Sequence, residues 1–234
     1  MMTTTCPICG EDGVKLEGHL VRLRPLQDEE DIRFLFGLRN DVEHLYLWTT
    51  RREVVSFTEF QDELRHDERL GMLRLIIEKR ATGERIGTVF SYDHNRVDRH
   101  CSIVTVLCPT ARRRGYGAEA TALFLRYLFA YLNLEKVYAQ VYEFNSLSRQ
   151  TLEHGGFKRE GVFPRHHFWN GRWWTMHQYA YYADDRENLK EVLAQFCPLL
   201  RRNGFQRGRN HQGAAEPIEV RRDQNGNVQR VADR

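Results

Sequence analysis

The stretch Ile103-Val104-Thr105-Val106-Leu107-Cys108-Pro109-Thr110-Ala111-Arg112-Arg113-Arg114-Gly115-Tyr116-Gly117-Ala118 decides how this 234-residue chain is read. Its β-branched first part predicts a strand that stops at Pro109. A basic, glycine-containing turn follows. Ala120, Leu123, Phe124, Tyr127, Leu128 and Tyr131 then recur at helical spacing, so the turn opens a helix. The first N–H groups of such a helix lack intrahelical acceptors and converge on one point, where the macrodipole also favours negative charge. Gly115 and Gly117 bring no Cβ into that space, and Arg112, Arg113 and Arg114 add guanidinium donors. The expectation is a cradle for a diphosphate. It is not a P-loop, which needs Lys-Ser/Thr, nor a dinucleotide fingerprint, whose first glycine is missing. A solvated basic turn ahead of an ordinary helix is the competing reading of these residues alone.

Working outward, alternation from His19 to Arg24 predicts a first strand ending at Pro25. Asp28, Glu29, Glu30 and Asp31 load the start of a helix with Ile32, Phe34, Leu35 and Leu38 on its apolar face, and a second helix covers Phe57 to Leu70. Strands Met72–Glu78 and Ile86–Tyr92 join through Ala81-Thr82-Gly83, and the fourth strand is Cys101–Leu107. After the cradle helix come a fifth strand (Lys136–Tyr142) and a short helix from Asn145-Ser146 to Gly155-Gly156. Phe157 and Val162 fall on a sixth strand, and Arg172–Tyr182 make a seventh after an Asn170-Gly171 turn. The order β-α-α-β-β-β-α-β-α-β-β predicts an α/β fold built on a mixed seven-stranded sheet. Around it lie a short head (1–17) containing Cys6 and Cys9, an extra helix (Glu187–Leu200 within 185–202), and a polar tail (203–234) expected to be disordered. Asn225-Gly226 suggests a small hairpin inside that tail.

Composition narrows the classes. A chain with 41% hydrophobic residues buries one core, and a net charge of +3 is too small to imply nucleic acid. No run approaches membrane-spanning length and no signal-peptide core opens the chain, so a cytoplasmic protein is expected. Cys6, Cys9, Cys101, Cys108 and Cys197 are odd in number and unevenly spaced, which suits reduced thiols. Cys6-Pro7-Ile8-Cys9 is half of a zinc knuckle without its partner pair, so no metal is assigned.

The cradle, with the spacing Arg112-x-x-Gly115-x-Gly117, resembles the coenzyme A loop of the GNAT acetyltransferases. A second match lies about thirty residues on. Asn145-Ser146-Leu147-Ser148, then Gly156-Phe157 and Glu160-Gly161, resemble the signature of the RimJ/RimL branch, the ribosomal-protein N-acetyltransferases. Leu20 to Leu26 and Asn170-Gly171 with its aromatic neighbours resemble that branch's first strand and last hairpin, so the resemblance covers residues 18–184. It implies a GNAT domain in which strands four and five splay to admit the pantetheine arm of acetyl-CoA. The backbone from Arg112 through Arg113, Arg114, Gly115, Tyr116 and Gly117 to Ala118 would then hold the pyrophosphate, and Leu107 and Asn145 would meet the arm.

Amine acetylation requires a proton acceptor for the attacking nitrogen and a proton for the departing thiolate. The tyrosine that many family members place seven residues after the asparagine is Leu152 here, and the resemblance hands its task to Ser148. The competing reading of Ser148 is a helix-start serine bonded to backbone. His167 is the candidate base, an imidazole suited to neutral pH, with His100 and Glu143 as competitors and a packed aromatic-edge residue as the alternative. Ser102 stands where relatives often carry Glu. Cys108 suggests an acyl-cysteine intermediate, although the family transfers directly and a strand-end Cys is usually a buried small side chain. Trp169, Trp173 and Trp174 suggest an acceptor pocket, with at least one of them in the core, and Asp41, Glu43 and Asp62 could draw a cationic amine. The expected activity is transfer of acetyl from acetyl-CoA to a small-molecule amine or a peptide or protein N-terminus, with no nucleic acid or membrane partner and a homodimer left open. The rival is a non-catalytic module that binds acyl-CoA or RNA.

Overall fold

The computed structural model describes residues 16–49 and 51–196, together with the backbone of 221–222 and 228–229. Residues 1–203 form one compact unit and 204–234 another. In the first unit the elements are β1 (Val21–Arg24), α1 (Glu29–Arg39), a 3-10 turn (Leu45–Leu47), α2 (Phe57–Arg69), β2 (Leu73–Lys79), β3 (Arg85–Asn95), β4 (His100–Leu107), a 3-10 turn (Pro109–Ala111), α3 (Tyr116–Tyr131), β5 (Lys136–Tyr142), α4 (Ser146–His154), β6 (Lys158–Trp169), β7 (Arg172–Tyr182), a 3-10 turn (Ala183–Asp185) and α5 (Asn188–Ala194). The sheet order is β1-β2-β3-β4-β5-β7-β6. The β4–β5 pair is parallel and every other pair antiparallel. This is the mixed α/β sheet expected of a GNAT fold.

Local chemistry sets the helix starts. Asp28 caps α1 by accepting from Asp31 N–H, and Ser56 with Glu59 forms a reciprocal capping box on α2. Ile76 and Ile77 are both fully buried yet belong to different apolar clusters, as the strand alternation requires. Ile76 packs with Leu35, Leu38 and Phe60 of α1 and α2. Ile77 shares its cluster with Leu123, Phe124 and Leu128 of α3 and with Leu189 and Leu193 of α5. The sheet is therefore covered on both faces.

Two buried acids brace this frame. Asp31 accepts from Arg24 at 2.6 and 2.8 Å, from Arg85 at 2.7 Å and from Gln27 N–H at 2.8 Å. The Arg24 guanidinium holds its carboxyl far below the usual range. Glu119, fully buried on α3, accepts the N–H groups of His19, Leu20 and Val21, each at 2.8 Å. Burial pushes its carboxyl up while those three bonds pull it down. The strand expected from His19 consequently begins at Val21, because the preceding amides serve Glu119 instead of a neighbouring strand.

Other boundaries shift as well. Phe157 lies just before β6 and is buried there, and the described part of the extra helix is Asn188–Ala194. Leu16 and Glu17, counted with the head, belong to the frame: Leu16 C=O accepts Leu23 N–H at 2.7 Å and Glu17 pairs with Arg80. Cys6 and Cys9 lie outside the described residues. Within the second unit, β8 (Arg221–Arg222) and β9 (Val228–Gln229) pair antiparallel, Arg221 with Gln229 and Arg222 with Val228, and Asn225-Gly226 lies outside the described residues.

Candidate active site

β4 and β5 are hydrogen-bonded only over His100–Lys136, Cys101–Val137 and Ser102–Tyr138. Beyond that point β4 continues along β3 to Leu107 and β5 continues along β7 to Tyr142, so each strand leaves one edge without a partner strand. Cys108 N–H donates to Ile86 C=O on β3. By alternation the Leu107 amide faces the opposite way, into the gap, and its carbonyl accepts from Arg112 Nε at 3.2 Å. The splay is thus a slot with main-chain donors and acceptors along its walls, and Arg112 is folded back onto its rim.

The cradle sits at the mouth of that slot. Gly115 is the N-cap of α3 at φ 85°, and Arg113 reaches φ 62°. No side chain caps the helix, so the amides of its first turn are free to meet an anion. A Cβ on Gly115 would lie 2.9 Å from Phe196 and 3.4 Å from Leu20, so the loop is backed by one ring from the end of α5 and one side chain from the entry to β1. Gly117 also has a packing role. A Cβ there would meet Leu107 Cδ1 at 3.3 Å, so this glycine lets α3 sit close on the end of β4. Arg114 is exposed.

Asn145 caps α4, its Oδ1 accepting Ser148 N–H at 3.2 Å. Ser148 is half-buried at the third position of that helix. Its amide, at least, is a helix-start group.

A cavity of about 350 Å³ runs from Arg113, Asn145, Ser146 and Leu147 to Tyr46, Leu47, Phe144, Trp169, Asn170 and Trp174. It joins the cradle to an aromatic cluster. Tyr46 stacks on Trp169 with centroids 4.6 Å apart and planes 5° from parallel, and Phe144 meets Trp174 edge-on at 5.0 Å. Trp173 points away and is half exposed, so none of the three tryptophans is core.

His167 lies behind this cluster, nearly buried and stacked on Tyr142 at 3.9 Å. Burial, then the charges of Arg52 and His166, push its imidazole below the ordinary histidine value. It is neutral near pH 7. Arg52 places NH2 3.2 Å from His167 Nε2 and 2.7 Å from Phe168 C=O. Since arginine can only donate, Nε2 carries the lone pair in this contact and the proton sits on Nδ1. Arg52 and Tyr46 were missed in the sequence, where nothing links residues more than a hundred positions from the hairpin they touch.

Other candidates fall elsewhere. His100 starts β4 at the closed end of the β4–β5 pair and meets Tyr138 edge-on, far along the strand from Leu107. Glu143 is exposed and accepts from Thr175 N–H. Ser102 is buried, opposite Tyr92 of β3. Burial pushes the Cys108 thiol up, away from thiolate and nucleophile. Asp41 is taken by His44 Nδ1 at 2.8 Å, Asp62 pairs with Arg65, and Glu43 is exposed. Among the described residues no group of three or more His, Cys, Asp or Glu side chains could hold a metal, and no helix is long and apolar enough to cross a membrane.

Known proteins match this arrangement. The model of the acetyltransferase (GNAT) domain family matches residues 21–158. Two uncharacterized N-acetyltransferases of Bacillus subtilis (strain 168) are each 31% identical: YoaA over 99 residues, 42% of this chain and 56% of its own length, and YnaD over 75 residues, 32% and 44%. The chain thus spans about half the length of these curated relatives. Among solved structures, spermidine N-acetyltransferase from Vibrio cholerae in complex with CoA and spermine superposes with a TM-score of 0.66 at 24% identity, over 71% of this chain and 98% of that one. A dodecameric structure of spermidine N-acetyltransferase from the same organism gives 0.61 at 24%, over 71% and 95%. At that identity the likeness is one of fold. The family match covers more than half of the chain, and the chain belongs to the GNAT acetyltransferase family.

Proposed function

We propose, from the premise of GNAT membership, that this protein transfers an acetyl group from acetyl-CoA directly to a primary amine. The observation that carries the reading is the continuity of three features: the β4–β5 slot, the uncapped α3 N-terminus beside it, and the aromatic cavity that begins at Arg113 and Asn145. The amides of Tyr116, Gly117 and Ala118 with Arg112, Arg113 and Arg114 hold the diphosphate, and the Leu107 amide pairs with the pantetheine arm that Asn145 meets from the other side. The neutral amine attacks the thioester carbon, the C–S bond breaks, and the thiolate takes a proton.

Ser148 is assigned to ordering the departing sulfur, in keeping with the RimJ/RimL-like signature around Asn145. His167 takes the amine proton at Nε2 once Arg52 has withdrawn from that atom, since a lone pair already engaged by a guanidinium accepts nothing more. The high thiol value of Cys108 supports transfer without an acyl-enzyme.

Thiol release from acetyl-CoA, followed with a panel of amines and N-terminal peptides, tests the assignment. Turnover is expected, and Ser148→Ala should lower kcat by about tenfold or more with coenzyme affinity little changed, because only the transition state loses stabilisation. Coenzyme binding without thiol release for any acceptor would make the protein a binding module. An unaltered kcat in Ser148→Ala would leave the serine as a helix-start residue.

A further inference from the structure

We infer that Arg52 is a positioning residue for the candidate base, holding His167 in one tautomer and keeping its Nε2 lone pair from water until an acceptor amine takes the guanidinium's place. The inference rests on the acetyl-transfer reading and adds a control to the same site.

His167 is only 5% exposed. Tyr142 covers one face of its ring, with centroids 3.9 Å apart and planes 16° from parallel, and Phe144 stands 6.0 Å away. Arg52 NH2 meets Nε2 at 3.2 Å and donates to Phe168 C=O at 2.7 Å. Arg52 is itself exposed, so its guanidinium stands between Nε2 and solvent. An arginine has no lone pair to offer. The contact therefore selects the tautomer with the proton on Nδ1, and Nε2 cannot accept a proton without losing Arg52.

The surrounding charges act in the same sense. The charged or titratable groups about the ring are Arg52 from the segment before α2, Tyr142 from β5 and His166 from its own strand, and among the described residues no carboxylate bonds to it. Burial lowers the imidazole first, and the Arg52 charge adds to the effect.

The attachment is releasable. The partners of Arg52 are a backbone carbonyl, an imidazole and the Trp169 ring, 5.0 Å from the guanidinium, and none of them is a carboxylate. Arg39 and Arg51 instead share Glu63, the charged kind of tie that fixes a guanidinium more firmly. The backbone beside Arg52 is pinned to the end of α1, where Arg39 donates to Glu53 C=O at 2.9 Å and the Asn40 side chain exchanges two bonds with Val55. Release then needs a change of side-chain rotamer and no movement of the segment.

An open base beside a thioester would waste acetyl-CoA. Water would attack the thioester carbon, Nε2 would take its proton, the C–S bond would break, and acetate and CoA would leave. With Arg52 in place the base is withheld from that reaction.

The test uses the full chain and its Arg52→Ala, Arg52→Lys and Arg172→Ala variants. Thiol release from acetyl-CoA is followed without acceptor, and the ring nitrogens of His167 are titrated by NMR. Arg52→Ala should raise hydrolysis at pH 7.5 by about tenfold or more, move the His167 midpoint up toward the ordinary histidine value, and carry the acid limb of kcat/KM for an amine to higher pH. Arg52→Lys keeps a cationic donor and should stay near wild type. Arg172→Ala removes the guanidinium over Trp174 instead and should leave both readouts unmoved. A wild-type His167 protonated at Nε2, or a midpoint unchanged in Arg52→Ala, would overturn the inference, since a residue that only packs on Trp169 moves neither. Unchanged hydrolysis in Arg52→Ala alongside normal amine turnover would overturn it too. If thiol is released with neither water nor any amine while the NMR results come out as expected, the transfer reading fails and the hold of Arg52 on His167 stands.

Discussion

Gly115→Ala probes the cradle at its hinge. Two separate costs follow from the geometry. At φ 85° an alanine Cβ crowds the following carbonyl, about 1–2 kcal/mol for a left-handed residue, of which the loss of unfolded-state freedom returns about 0.4–1. The new methyl would also sit 2.9 Å from Phe196 Cε1 and 3.4 Å from Leu20 Cδ1, so the ring must move, an overpacking cost of about 1–3 kcal/mol. The net expectation is about 1–4.5 kcal/mol, read as a lower urea midpoint at unchanged slope. Phe196→Ala removes the second cost and not the first. In the double variant the substitutions should therefore couple favourably by about 1 kcal/mol or more. Calorimetry on the same proteins should show weaker acetyl-CoA binding in Gly115→Ala, partly recovered in the double variant, because the displaced loop misaligns the amides of Tyr116 and Gly117. A destabilisation below about 0.5 kcal/mol with no coupling would refute the argument that Phe196 backs the cradle.

Glu119→Ala strips the acceptor from one buried and two part-buried amides and should cost about 2–5 kcal/mol in urea unfolding, with Glu119→Gln recovering part of it; a loss under about 1 kcal/mol would mean that water replaces the carboxylate. The imidazoles of His19, His94, His167 and His177 are all pushed below the ordinary value, chiefly by burial. Below about pH 6.5 the unfolded chain binds these protons and the folded chain resists them, so this contribution is complete above that pH and is lost as pH falls through the lowered folded values. Urea midpoints measured from pH 7.5 to 5.5 should decline, and His167→Phe should flatten part of that decline.

Much of the frame was legible because it is written in local patterns. The β-branched run before Pro109 and the apolar period after Gly117 identify β4 and α3 without reference to anything distant. Asp28 and Ser56 announce their helices in the same way. The boundaries that moved did so for long-range reasons: β1 starts late because His19 and Leu20 donate to an acid about a hundred residues away. Glu119 itself is an acid in the first turn of α3, where the helix dipole alone would account for a negative charge. Nothing nearby in the chain says that its carboxylate will be fully buried under β1.

The acceptor side was the less legible half, and the reason is topological. The coenzyme contacts proposed from Leu107 to Ala118 lie in one contiguous strand-turn-helix segment, so their spacing survives in the sequence as a motif. The cavity proposed for the acceptor is lined by the turn at Leu45–Leu47, by Arg113 ahead of α3, by Phe144–Leu147 after β5 and by the β6–β7 hairpin, four segments brought together only by the fold. Arg52 shows what this hides. In the sequence it is one of several exposed-looking arginines; in the fold it covers a tryptophan face and faces the imidazole nitrogen the chemistry would use. A single side chain thus ties the aromatic wall of the cavity to the imidazole behind it, a link between Trp169 and His167 that no local pattern announces.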